Sequence, residues 1–122
     1  MAAHYLDALA RFADFDGRTS RAGLWGFVAV HTVVTAALLV ASATVGVALE
    51  AGWVAGSLVL ALYLALTFFP FLSLIARRLH DTGRSSFWVA LSLVPLAGLW
   101  LFVWLLEVGD PAPNEWGQPP ER

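Results

Sequence analysis

An all-α integral membrane fold is what this sequence predicts: a helical bundle of three transmembrane helices preceded by a short interfacial amphipathic helix. Three observations carry that expectation. Of 122 residues, 59% are hydrophobic and 13% charged, whereas a soluble domain is about 45–50% apolar and about 25% charged. Mean hydropathy is +0.72. Three apolar runs each reach the roughly 20 residues that a helix needs to cross a hydrocarbon core about 30 Å thick. Lipid cannot satisfy open backbone groups, and the runs lack strand-like alternation, so helices are the natural reading.

The elements follow in order along a single domain, residues 1–122. Over residues 3–14, Tyr5, Leu6, Leu9, Phe12 and Ala13 recur at helical spacing, with His4, Asp7, Arg11 and Asp14 mostly between them. That pattern predicts a helix lying along the headgroups. Asp16-Gly17 reads as a turn, and Thr19 or Ser20 as the cap of the helix entering the membrane. The first span covers residues 25–49 and contains His31. Ala41-Ser42-Ala43 fits a signal-cleavage pattern, yet the apolar stretch runs on past it, so the segment is read as a span.

Only Glu50, Ala51 and Gly52 precede the second span, residues 53–76, which forces an antiparallel hairpin. Gly52 and Gly56 form a G-x-x-x-G, a hint of close helix packing. Pro70 predicts a kink, with Thr67 or Ser73 helping to satisfy the carbonyl it frees. The third span is residues 87–108, interrupted by Pro95 and Gly98. A full crossing is the favoured reading, and a re-entrant course the alternative. Residues 109–122, rich in Pro and Gly, are predicted to be irregular.

Orientation comes from the arginines. Arg11, Arg18 and Arg21 precede the first span, and Arg77, Arg78 and Arg84 separate the second from the third. Positive flanks stay cytoplasmic, so the N-terminus and the 77–86 loop are expected inside and the C-terminal tail outside. Trp25, Trp53, Trp88 and Trp104 mark span ends, where aromatic belts lie.

Composition also excludes. The formal net charge is −2, so nucleic acid is not an expected partner. Cysteine is absent, which removes disulfides, a thiolate nucleophile and cysteine-based metal sites. No cofactor and no metal site are predicted.

The densest polar segment is ARRLHDTGRSSFW, residues 76–88. An ordinary turn explains much of it. Arg77 and Arg78 suit a helix C-terminus, and Asp81 is within pairing reach of Arg77 or Arg84. Gly83 suits the position after the helix, and Ser85 or Ser86 caps the next one. A second reading is a site for an anion. Arg77, Arg78 and Arg84, joined by Arg18 and Arg21, would engage anionic lipid headgroups or a partner's acidic surface. Asp81 would orient them and His80 would add a donor or acceptor. Both readings stand at this point.

Catalysis is not predicted. His80 and Asp81 are neighbours, which on a helix point about 100° apart, and no catalytic motif accompanies them. Within the first span, His31 and Thr35 are the polar pair, and a histidine at that depth is a functional candidate. The alternative function is therefore a subunit of an oligomeric transporter or channel using His31, Thr35 and the Pro70 kink. A homo-oligomer or another membrane protein would be the partner.

Three stretches carry a family resemblance: FADFDGRTSRAGLWGF, ARRLHDTGRSSFW and NEWGQPP, in that order around the apolar runs. They resemble the YhaH-like family of small bacterial inner-membrane proteins (domain of unknown function 805). The specific element is Arg77 to Asp81 followed by Gly83, Arg84 and Ser85. Gly17-Arg18 with Arg21 and Trp25, and Asn114 with Gly117 and Pro119, support it. Ser86 and Phe87 depart from the small residue and tryptophan that the family often has there. The resemblance implies a bacterial inner (plasma) membrane and one small domain, and it implies no reaction.

Overall fold

The computed structural model describes residues 2–48 and 52–121. The 49–51 connection and the Trp53 side chain, both invoked above, lie outside what is described. The chain is helical: α1 (Ala2–Ala10), α2 (Arg21–Ala48), α3 (Gly52–Asp81), a 3-10 helix (Ser86–Leu93) and α4 (Ala97–Leu106).

Two helices, Arg21–Ala48 and Gly56–Asp81, are long and apolar enough to cross a membrane. At about 1.5 Å per residue, α2 with its 28 residues exceeds the bilayer core and has room to tilt. Ser20 begins α2: its hydroxyl accepts from the Gly23 N–H at 3.2 Å and its carbonyl from the Leu24 N–H at 3.1 Å. The two long helices approach closely where Gly56 meets Ser42, since a Cβ there would stand 2.3 Å from the Ser42 hydroxyl. Pro70 sits inside α3 without ending it. The Thr67 hydroxyl donates to the carbonyls of Tyr63 and Leu64, and that of Ser73 to Pro70, so neither takes the carbonyl of residue 66 that the proline frees.

The third apolar run is not one helix. Its first half is the 3-10 helix, capped by the Ser85 hydroxyl, and its second half is α4. The break falls at Pro95-Leu96, where Leu96 takes φ +66°, a conformation rarely adopted by a bulky side chain. Each half, at about 1.5–2.0 Å per residue, spans only about half a hydrocarbon core. The run therefore turns back on itself. Trp88 near its start and Trp104 near its end meet edge to face at 5.6 Å, and Arg84 stands 4.7 Å over the Trp104 ring while pairing with Glu107 at 2.7 Å. The tip is apolar and exposed at Leu93, Val94, Leu96 and Leu99. Its backbone is largely self-satisfied: the N–H groups of Val94, Gly98 and Leu99 bond within the turn, and proline has none to leave open.

Burial is concentrated at one end. Ala8, Leu24, Phe27, Leu74, Leu79, Leu101 and Leu105 form the core, drawn from the N-terminal part of α2, the C-terminal part of α3, and α1 and α4. Most other large apolar side chains on α2, α3 and the short hairpin are exposed, Phe87 at 88% and Leu66 at 67% among them. Such a surface requires an apolar solvent. α1 ends earlier than the sequence suggests and packs through Tyr5, Ala8 and Leu9, while Leu6 and Phe12 point away.

Candidate functional site

The buried end of the molecule is polar at its centre. α3 terminates there in a left-handed Gly83 (φ +71°), with the Arg84 N–H bonded back to the Leu79 carbonyl at 2.9 Å. That last turn carries Arg77, Arg78, His80 and Asp81, all buried.

Asp81 is the hub. One carboxylate oxygen accepts from Arg18, whose Nε lies at 3.0 Å and Nη2 at 2.8 Å; the other pairs with Arg78. All three side chains are at most 2% exposed. Arg78 reaches onward to the carbonyls of Leu105, at 3.2 Å, and Glu107. Arg18 reaches onward to the tail, donating to the carbonyls of Asp110, Ala112 (2.8 Å) and Gly117 (3.3 Å). A buried ion pair stabilises only when such extra hydrogen bonds satisfy its remaining groups, and here backbone carbonyls do so.

The tail is fixed from several directions. The Asp110 N–H donates to the Asp81 carbonyl at 2.7 Å, and the Asn114 amide to the His80 carbonyl at 2.9 Å. Trp116 stacks on the His80 ring at 4.5 Å with planes 7° apart, and His80 Nδ1 bonds the Gly17 carbonyl at 3.1 Å. Asn114 and Gly117 pair through both backbone hydrogen bonds, closing the turn that presents Trp116. The tail thus packs directly against the end of α3 and the turn that follows it, rather than standing apart from them as a full crossing by the third run would require. Tail and turn meet at one end of the molecule because the two halves of the third run fold onto each other.

The candidate arginines separate into different roles. Arg18 and Arg78 are committed to Asp81 and backbone carbonyls, and Arg84 to Glu107 and Trp104. Arg21 is exposed, with one long contact of 3.4 Å to the Leu106 carbonyl. It lines a cavity of about 300 Å³ together with Ser20, Arg78, Asp81 and Gly109. Arg77 is wholly buried, and its three guanidinium nitrogens have no hydrogen-bond partner among the described residues. Asp81 bonds neither Arg77 nor Arg84, the partners its sequence spacing suggested.

His31 and Thr35 lie elsewhere, between α2 and α3. His31 accepts or donates at 2.9 Å with the Tyr63 hydroxyl, which in turn lies 3.1 Å from that of Tyr5. Tyr5, Phe27, His31 and Tyr63 form a stacked aromatic column with centroids 5.0–5.6 Å apart. Thr35 lies beside Tyr63. Among the described residues no group of three or more metal-ligating side chains comes together.

Sequence reasoning missed Gly109, Glu107 and the role of Trp116. Only Trp116 left a signal, as a tryptophan outside the span ends.

Two long apolar helices and a short apolar hairpin, all tied to one buried polar knot, define a small helical membrane protein. The chain belongs to the family described as protein of unknown function (DUF805), whose model matches residues 12–118. It is 36% identical over 118 residues to the inner membrane protein YhaI of Escherichia coli (strain K12), covering 96% of this chain and 94% of that protein. To the inner membrane protein YhaH of the same strain it is 32% identical over 118 residues, covering 96% and 95%. No solved structure matches it.

Proposed function

We propose that this chain is a non-enzymatic accessory protein of the bacterial inner membrane, whose cytoplasmic polar face engages the phosphates of anionic lipids. Its two long helices span the bilayer, and the 3-10 helix and α4 dip into one leaflet and return. The surplus of arginine at the knotted end orients that end inward.

The observation that carries this reading is the cavity of about 300 Å³ bordered by Arg21 and Arg78. Apolar Val108 and charged Arg21, Arg78 and Asp81 all line it, and guanidinium forks match phosphate oxygens, which supports a headgroup as its occupant. Arg78 contributes charge from within the knot, and exposed Arg21 supplies the movable donor. The names of YhaI and YhaH as inner membrane proteins support the location. The non-enzymatic reading is supported by the use of His80 and Asp81: the ring is stacked and bonded, and the carboxylate is spent on two arginines. His31 likewise joins α2 to α3 through Tyr63, which supports a packing role over the transport alternative.

Native mass spectrometry of gently extracted protein tests the proposal. The wild type is expected to retain an anionic phospholipid that Arg21→Gln loses while staying folded. Equal retention by both proteins, or none by the wild type, contradicts it.

A further inference from the structure

Arg77 is a buried cation that the knot does not use. Its side chain is 0% exposed, and Nε, Nη1 and Nη2 lack hydrogen-bond partners among the described residues. An unpaired guanidinium out of water is costly, so its surroundings are informative. The loop between α1 and α2 covers it. Ser73, one turn earlier on α3, donates to the Arg11 carbonyl at 3.4 Å, and the Thr19 N–H donates to the Arg77 carbonyl at 3.1 Å. The loop is therefore tied to α3 at two points, Ser73 and the Arg77 backbone.

The charges facing Arg77 are Arg11, Asp14 and Asp7. Both carboxylates are engaged with Arg11. Asp14 accepts from Arg11 Nε at 2.8 Å and Nη2 at 2.6 Å, and Asp7 lies 4.0 Å away. Hydrogen bonding from Arg11 chiefly, with the charges of Arg11 and Arg77 adding, holds the Asp14 carboxyl below its ordinary range. The Arg11–Asp14 pair is about two-fifths exposed, at 42% and 38%, and a pair in water is worth little. Around it, Leu6, Phe12 and Phe15 are exposed apolar side chains, the pattern of a segment that settles into a bilayer surface with its cation at phosphate level.

We propose that Asp14 is a two-position latch governed by the membrane surface: it pairs with Arg11 in this structure, and turns to the buried Arg77 when an anionic phospholipid phosphate takes Arg11. The exchange replaces a weak exposed pair with a buried one and gives Arg11 a headgroup partner. The loop then closes more tightly on α3, so anionic lipid stabilises the protein through Arg77 without touching it. This is separate from the Arg21 cavity and uses none of its residues.

The test compares full-length wild type, Arg77→Met and Asp14→Asn by thermal midpoint in two vesicle types. One is phosphatidylcholine alone and the other is equal parts phosphatidylcholine and phosphatidylglycerol. The wild type is expected to gain a few degrees in the mixed vesicles. Arg77→Met should match or exceed the wild type in neutral vesicles, having lost an unpaired charge, and should show no gain in the mixed ones. Asp14→Asn, a change at the loop surface that keeps the buried core intact, should also lose the gain. A gain preserved in either variant overturns the latch, as does Arg77→Met melting below the wild type in neutral vesicles. Inorganic phosphate reproducing the gain in neutral vesicles overturns the lipid as its source.

Discussion

Gly109 lies flat against the Asp81 carboxylate: a side-chain carbon at that glycine would stand 1.8 Å from Oδ2 and 2.4 Å from Cγ. The tail leaves α4 at this point, so the lack of a side chain is what lets the backbone pass over the knot. Gly109→Ala must displace a carboxylate already held by Arg18 and Arg78. Overpacking of this kind costs about 1–3 kcal/mol, occasionally more. The expected outcome is a lowered unfolding midpoint in detergent, with the tail cut by protease before the helices are.

Removing the hub is expected to be worse. Asp81→Asn leaves Arg18 and Arg78 buried without their shared anion, and breaking one partner of a buried pair costs about 3–5 kcal/mol. Chemical unfolding of Asp81→Asn, Arg18→Gln and the double variant provides the check. Because both act through one network, the double loss should fall well short of the sum. Simple additivity would mean that Arg18 holds the tail independently of Asp81.

The hairpin has its own polar joint. Tyr63→Phe keeps the ring in the aromatic column but removes the hydroxyl that joins His31 and Tyr5. Interhelical hydrogen bonds in membrane proteins contribute about 0.6 kcal/mol on average and up to about 1.7 kcal/mol. A stability loss of about 0.5–2 kcal/mol is expected on that scale, together with looser docking of α1, read as faster amide exchange over residues 2–10. Unchanged exchange in α1 would show that Tyr5 is held by its stacking on Phe27 alone.

How far the sequence reached follows from what each signal measures. The first two apolar runs, 25–49 and 53–76, fall within or beside the long helices Arg21–Ala48 and Gly52–Asp81, since a long uninterrupted apolar run favours one continuous helix. The third run has the same hydropathy, but hydropathy carries no direction. Pro95 and Gly98 announced a break, and the reversal itself rests on Leu96 at φ +66°, a backbone state with no sequence signature at leucine. The knot was half legible. Arg78, His80 and Asp81 lie in one short string, and helical spacing allows the Arg78–Asp81 contact three residues apart. Arg18 joins across 63 residues, and what it grips beyond Asp81 is backbone carbonyl, which every residue possesses.

The claim on which the rest depends is that the tail and the loop before α2 lie on one side of the membrane. The chain contains no cysteine, so single cysteines placed at the exposed positions Asp16 and Glu115 report sidedness without background. Labelling intact cells and inverted vesicles with a membrane-impermeant maleimide is the direct measurement. Both positions are expected to label only in inverted vesicles. Glu115→Cys labelling from outside intact cells, while Asp16→Cys does not, would mean that the third run crosses and that the Asp81 knot does not form as described.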